Sequence, residues 1–516
     1  MPDLPPRRPL VIAAALFVVA ALAFALRDNL TSNELDTLLT ARRFVDPDYL
    51  PGDWFLGLAQ GPRRPFQFVL WPLLRVASLP VASVLGRLLG YAGLSLALGK
   101  LASRLGIGPA LAVVLGGLYV AFGQSVAGGE WLFGTIESKV AAYALVLFAL
   151  DAWLDARVLK AAILLGLATT LHVLVGAQAT LALGLCALLD WPGPPGYRAR
   201  AQALVVWTLA AAPGLVILAD AAGSKVQADP PVSWIYVVFR TPHHSDPTTW
   251  HLSWRAWAAI LVLGPALVLV PRWRPGQPDL RRLARFASAA LVPFALGLLA
   301  ALLPGGHKFL QLLPFRVGGA LAPLLGLLLL GAWLAAVLPP LLAKWLPGLL
   351  ATAVLVLAGL DARAELQTWR DFPRGGRPSL ARTEGLDLAN AATWIRDHSP
   401  RTAVVLAAPT HESVGYLADR AVVVTYKQTP PGHAEVVAWF HRIVAFAGGI
   451  VPPERGHALL PALDLRFEQL PPPTYAKLAH DYGGDVLLVR RRDLTLPVLY
   501  RNAGWTVYSL RGPPGP

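Results

Sequence analysis

The sequence predicts an α-helical polytopic membrane protein that ends in a C-terminal α/β domain. Three observations carry this. The 516-residue chain is 55% hydrophobic with a mean hydropathy of +0.52, more apolar than a water-facing surface allows. Repeated apolar runs approach the ~20 residues that cross a bilayer core. After residue 382 the pattern changes to short strand-like and helix-like segments in alternation, none long enough to span.

Candidate spans fall at residues 9–26, 82–99, 109–127, 140–156, 159–174, 176–190, 202–221, 255–271, 286–303, 315–337 and 346–360. That is about eleven crossings, within roughly ten to thirteen, because Pro and Gly split or merge apolar runs. The first follows a basic start, but "RDNLTSNE" after it offers no small-residue cleavage site, so it reads as a retained helix. Residues 65–80, interrupted by Pro72 and Arg75, suit an interfacial helix or a further span.

Orientation follows from Lys and Arg in alternate short loops, "GKLASRLG", "DARVLK", "PPGYRARA", "PRWRPGQPDLRRLAR" and "LLAKW", which together with the N-terminus are expected inside. The net charge of +14 therefore speaks of topology and not of nucleic acid. An odd number of spans places the large first loop 27–64, the loop 222–254 and everything after residue 360 outside. The expected organisation is a transmembrane domain over 1–360, a linker over 361–382 and an outer α/β domain over 383–516 with a largely parallel sheet.

The single Cys186 lies in an apolar run, which excludes a disulfide framework and a Cys-based metal site. The outer domain has no G-x-G-x-x-G and no P-loop, which excludes the usual nucleotide sites. Lys427 and His433 fall at strand-end and helix-start positions where α/β domains bind ligands, although a structural loop is the plainer reading.

Carboxylates, imidazoles and cations gather on the outer side. Ionisable groups beside membrane helices are costly, which makes them candidates for function. "NELD" supplies Glu34 and Asp36, which on an extended loop would point the same way and serve as base and orienting group or hold a hard cation. "GGEWLFGTIESK" supplies Glu130, Glu137 and Lys139, of which Glu137 and Lys139 would equally serve as solvated anchors at a helix end. His172 in "TTLHVLVGAQ" suits a packing residue between helices as well as a ligand. "FRTPHHSDP" contributes Arg240, His243, His244 and Asp246, a turn whose imidazoles and carboxylate could ligate a divalent cation. "GGHKFLQLLPFR" contributes His307, Lys308 and Arg316, the last placed to pair with a phosphate or to anchor at the interface.

An acidic motif in a large first outer loop, about a dozen helices and an outer C-terminal domain resemble the GT-C superfamily of membrane glycosyltransferases. "NELD" stands where those enzymes carry D-D, D-E or E-x-D. Stretches such as "FLQLLPFR" and "VVTYKQTPPGHAEVVAWFHR" are also similar to a bacterial group of multi-spanning proteins. The resemblance implies a polyprenyl-phosphate-linked sugar donor and a lipid, glycan or protein acceptor at the outer face of a bacterial inner membrane. It implies Glu34 or Asp36 as base, or as ligands of Mg or Mn together with His243, His244 and Asp246. Arg316, Lys308, His307, Arg240 and the His residues would then stabilise the departing phosphate. No W-W-D-x-G motif is present, which argues against transfer to Asn. A polysaccharide polymerase or ligase, a transporter or flippase of lipid-linked saccharide, and a non-catalytic scaffold remain as alternatives.

Overall fold

The computed structural model describes residues 8–27, 30, 32–58, 61–189, 196–222, 226–371 and 378–511. Helix α1 (Arg8–Phe24) is followed by α2 (Ser32–Val45), the short α3 (Trp54–Gly57) and α4 (Arg64–Val76). Next come α5 (Leu79–Arg104), α6 (Pro109–Ala121), α7 (Ser138–Leu154), α8 (Val158–Leu171), α9 (Val173–Leu189) and α10 (Tyr197–Ala222). The short α11 (Val232–Trp234) and α12 (Pro242–Ser245) lead to α13 (Trp254–Trp273), α14 (Pro278–Ala301), α15 (His307–Leu310), α16 (Arg316–Val337) and α17 (Pro340–Asp371). The remainder runs α18 (Pro378–His398), β1 (Val404–Ala407), α19 (Val414–Ala418), β2 (Ala421–Val422), α20 (His433–Phe446), α21 (Leu459–Glu468), α22 (Pro472–Tyr482), β3 (Val486–Arg490), β4 (Val498–Arg501) and β5 (Trp505–Ser509).

Each apolar segment expected to span is helical. Among the described residues, six helices are long and apolar enough to cross a membrane: α5, α10, α13, α14, α16 and α17. Helices α1, α6, α8 and α9 are apolar but shorter; α6 rises only about 20 Å against a hydrocarbon core of about 30 Å.

The chain forms two compact units. The first contains Met1–Leu26, Leu85–Leu218 and Thr241–Leu366; the second contains Arg27–Val84, Ala219–Arg240 and Gln367–Pro516. In the first, α16 is apolar on every side and packs on α14, α13 and α6, as a fully enclosed helix must. Gly318 and Gly319 make this possible, because a Cβ would come within 2.6 Å of the Ala290 carbonyl oxygen and 2.9 Å of that of Ala127.

In the second unit the strand order is β2-β1-β3-β5-β4. Strand β1 runs parallel to β2 and β3, whereas β5 is antiparallel to both β3 and β4. The expectation of a largely parallel sheet is corrected here: the chain from β3 to β5 contains no crossover helix, and short connections return strands antiparallel. The segment 235–240 belongs to this unit because Ile235 and Phe239 are fully buried in its core, with the Phe239 ring 5.0 Å from that of Phe440.

Two local expectations also change. "NELD" is not extended but lies in α2, whose buried Leu35, Leu38 and Leu39 recur at helical spacing. Residues i and i+2 on a helix diverge, so Glu34 and Asp36 do not point the same way. The linker is helical at both ends, up to Asp371 and again from Pro378, and residues 372–377 lie outside the described residues. Helix α4 is amphipathic in the interfacial manner, burying Phe66, Leu70 and Leu74 while exposing Phe68, Val69, Trp71 and Val76.

Candidate functional site

In the first unit, ionised groups converge at helix ends. In the loop between α6 and α7, Gln124 donates from Nε2 to the Phe133 carbonyl at 2.7 Å and accepts from the Leu132 and Phe133 N–H at 2.9 and 2.8 Å. This fixes Glu130, 1% exposed, in the interior. Its Oε1 lies 3.7 Å from Lys139 Nζ and its Oε2 lies 3.7 Å from Arg316 Nε. Neither carboxylate oxygen has a hydrogen-bond partner among the described residues. Two cations flank this carboxylate and offset the cost of burying it.

Lys139 sits in the first turn of α7 and is 3% exposed. Its Nζ is 3.5 Å from Glu137 Oε2 and 3.7 Å from the centroid of the Trp131 ring, a cation–π contact that substitutes for lost water. Arg316 opens α16, and its Nη1 donates to His172 Nε2 at 3.0 Å. A guanidinium cannot accept, so Nε2 carries a lone pair and His172 is neutral. The Val175 N–H approaches His172 Nδ1 at 3.4 Å; the shorter Arg316 bond decides the tautomer, leaving the proton on Nδ1.

The segment "TTLHVLVGAQ" controls Arg316 twice. His172 takes its side chain, and Gln178 holds its backbone by donating to the Leu312 and Leu313 carbonyls at 3.2 and 3.0 Å and accepting from the Val317 N–H at 3.3 Å. His244 on α12 completes the group, with Nδ1 2.6 Å from the Gly128 carbonyl oxygen. Burial, followed by the charges of His243 and Arg316, pushes its pKa well below the ordinary imidazole range. His244 is therefore neutral with Nδ1 protonated, leaving its Nε2 as a hydrogen-bond acceptor. Gly128 and Gly129, both at positive φ, admit this approach; a Cβ on Gly129 would stand 3.4 Å from the His244 ring.

The remaining residues expected at the site divide between the two units. In the first unit, Lys308 is exposed and His307 half-buried on α15. The His243 ring lies 4.1 Å from that of His244, tilted by 49°. Asp246 caps the turn after α12, its Oδ1 accepting from the Thr248 N–H at 3.0 Å and hydroxyl at 2.6 Å. In the second unit, buried Glu34 accepts from the Leu30 N–H at 2.8 Å. Asp36 pairs with Arg63 at 3.0 Å, and Arg63 also donates to the Thr429 carbonyl at 3.2 Å. Arg240, 5% exposed, is held by the Thr429 hydroxyl at 2.9 Å and the Lys427 carbonyl at 3.2 Å, above the Tyr426 ring.

Among the described residues the groups whose ligand atoms converge as for a metal are instead His411, Asp464 and Glu468, in the second unit. Their fit is poor. Asp464 is already bonded to Thr410, His411 and Arg490 at 3.2, 3.1 and 2.9 Å, and both Glu468 oxygens accept the Arg490 N–H. The Arg490 guanidinium supplies the positive charge a cation would bring.

A family model described as a domain of unknown function (DUF6798) matches residues 387–446, from within α18 to the end of α20. No functionally curated protein matches the chain. Among solved structures, the chain is similar to ArnT from Cupriavidus metallidurans in the apo state, at 14% identity over 98% of each chain with a TM-score of 0.48. It is similar to the same protein bound to undecaprenyl phosphate at 13% identity over 98% of each chain, TM-score 0.45. It is also similar to the apo oligosaccharyltransferase of Archaeoglobus fulgidus, at 13% identity over 94% of this chain and 70% of that one, TM-score 0.48. The residue roles argued for this chain rest on its own geometry.

Sequence reading passed over Glu130 as one acidic residue among several, and did not single out Gln124 or Gln178. The available signal was composition: Gln124 and Glu130 each follow a glycine beside an apolar run, and Gln178 lies inside one.

Proposed function

We propose that this chain is a membrane glycosyltransferase that moves a sugar from a polyprenyl-phosphate-linked donor to a lipid, glycan or protein acceptor at the outer face of a bacterial inner membrane. The observation that carries the reading is Glu130, 1% exposed and flanked by Lys139 and Arg316 at 3.7 Å each. Such a carboxylate is costly to keep, and it holds two cations ready in a low-dielectric site where they act strongly on a developing anion.

In this reading the bond from the sugar anomeric carbon to the donor phosphate oxygen breaks, and that oxygen leaves with the electron pair. Arg316 and Lys139 receive the charge of the departing phosphate. The acceptor oxygen bonds to the anomeric carbon and gives its proton to a base, for which Glu130 is the candidate within this unit. Glu34 and Asp36 are retained as candidate acidic groups of the other unit, with Asp36 the more available because an ion pair, unlike a buried backbone contact, exchanges readily with a ligand. No step is routed through a metal, since Asp246 is engaged as a cap and His244 Nδ1 is bound to Gly128. A transporter reading is less supported, because these charges stand at helix termini and not at mid-span.

The test is a glycan and glycolipid profile of the cell envelope in strains carrying Glu130→Gln, Arg316→Ala, Glu34→Gln or Asp36→Asn. Loss of one glycoconjugate with Glu130→Gln and Arg316→Ala, in normally inserted protein, is the expected result. An unchanged profile for both would refute glycosyl transfer at this cluster.

A further inference from the structure

At the opposite end of the first unit, α9, α13 and α14 enclose a cavity of about 590 Å³, within the range of ligand-binding clefts. Helix α9 starts at Val173, next to His172, and its far end at Leu185–Leu189 forms one wall, so the cavity lies a full helix length from the Glu130 cluster. The second wall is the C-terminal end of α13 and the third is the first half of α14.

The lining is divided by chemistry. On α14, Arg281, Arg285, Ser288 and Val292 recur at helical spacing and lie on one face. The face therefore runs from two guanidiniums at the helix start, through a hydroxyl, to an apolar side chain one turn deeper. Arg272 on α13 stands at the same level as the helix-start arginines, with Nη1 donating to the Val268 carbonyl at 2.9 Å. Apolar Leu185 and Leu267 line the deeper part. No Asp or Glu lines the cavity among the described residues. Among the described residues, Asp151, Asp155 and Asp279 at this end all pair with Arg104.

Basic loops at this end satisfy topology wherever they lie. Topology does not require three arginines to face one cleft with an apolar floor. The start of α14 adds the positive end of a helix dipole to the same place. Leu188, Leu189 and Val268 at the margin are 66%, 73% and 52% exposed, so the cleft is open on a side that in a bilayer meets lipid.

We propose that this cleft binds an anionic glycerophospholipid, its phosphodiester headgroup held by Arg272, Arg281 and Arg285 and the upper part of an acyl chain laid along Leu185, Leu267 and Val292. The charge complementarity selects an anion, and the apolar continuation selects an amphiphile over a free ion. This inference is independent of the glycosyltransferase reading and concerns a different end of the bundle.

The experiment is native mass spectrometry of the full chain in detergent, titrated with phosphatidylglycerol or with zwitterionic phosphatidylcholine. Retention of phosphatidylglycerol about tenfold above phosphatidylcholine is expected, in keeping with the worth of several arginines near an anionic headgroup. The combined Arg272→Gln, Arg281→Gln and Arg285→Gln variant should lose that preference. Ser288→Trp, which fills the cleft and leaves the arginines intact, should lower retention even if the triple variant fails to insert. Arg157→Gln, a change of exposed charge in the α7–α8 turn at the same end, should retain the lipid as before. Equal retention of the two lipids, or retention unaffected by Ser288→Trp, would overturn the proposal. Release of phosphatidylglycerol by millimolar inorganic phosphate would also overturn it, by showing recognition of the anion alone.

Discussion

The Arg316 guanidinium donates to Nε2 of His172 at 3.0 Å while its Nε lies 3.7 Å from Glu130. One side chain thus ties the start of α16 both to the α8–α9 corner and to the α6–α7 loop. Arg316→Ala leaves Glu130 buried beside Lys139 alone, and removing one member of a buried charge group costs about 3 kcal/mol or more. Thermal unfolding of the detergent-solubilised chain should show it. Arg316→Lys should recover part of the stability but not the function, since an ammonium cannot serve both partners in one plane.

Gly129→Ala tests the approach of His244. The position has φ +59°, and a Cβ would meet the His244 ring. The left-handed backbone alone should cost about 1 kcal/mol. If the His244–Gly128 contact matters to function, activity should fall further than the stability loss explains, read as the envelope profile at matched protein level.

Asp53 caps α3 through a 2.9 Å bond from the Leu56 N–H and accepts from the Val422 N–H at 3.3 Å, joining the first loop to strand β2 within the second unit. Burial pushes its carboxyl above the usual range, against these backbone hydrogen bonds. Asp53→Ala removes the cap and leaves a buried N–H unpaired, for a loss of about 2 kcal/mol. Hydrogen exchange at Leu56 and Val422 should accelerate together; acceleration at Leu56 alone would deny the link.

The Asp464 carboxyl is raised by burial but lowered more by His411 and Arg490, to about 2. A folded pKa below the unfolded one means that the unfolded chain binds the proton first. The Asp464 contribution is therefore present above about pH 4 and lost as pH falls from there towards 2. Glu468, raised by burial, acts in the opposite sense. Hydrogen exchange of β3 and β5 should rise across that window in the native chain, and Asp464→Asn should flatten the pH dependence while lowering stability at neutral pH.

The helical segments were legible because apolar length is a local property, and each expected run from α1 to α17 is a helix. So were the strands β1, β3 and β5, whose β-branched runs stand between turns. Strand β4 was not legible. Its residues are largely exposed and include Arg501, so only pairing with β5 marks it as a strand.

Sequence alone determined that this is a helical membrane protein with an α/β domain and that its ionisable residues favour one set of loops. Apolar periodicity and loop charge carry that information without reference to distant residues. Only the tertiary structure decided which charges meet. Glu34 and Asp36 became separate because the buried leucines of α2 impose a helix. Glu130, Lys139, His172 and Arg316 became one group because Gln124 pins the α6–α7 loop on itself and Gln178 reaches across the chain to hold the turn before α16. A buried ion cluster is a balance of desolvation against partners, and partners separated by up to 186 residues are set by packing and not by spacing.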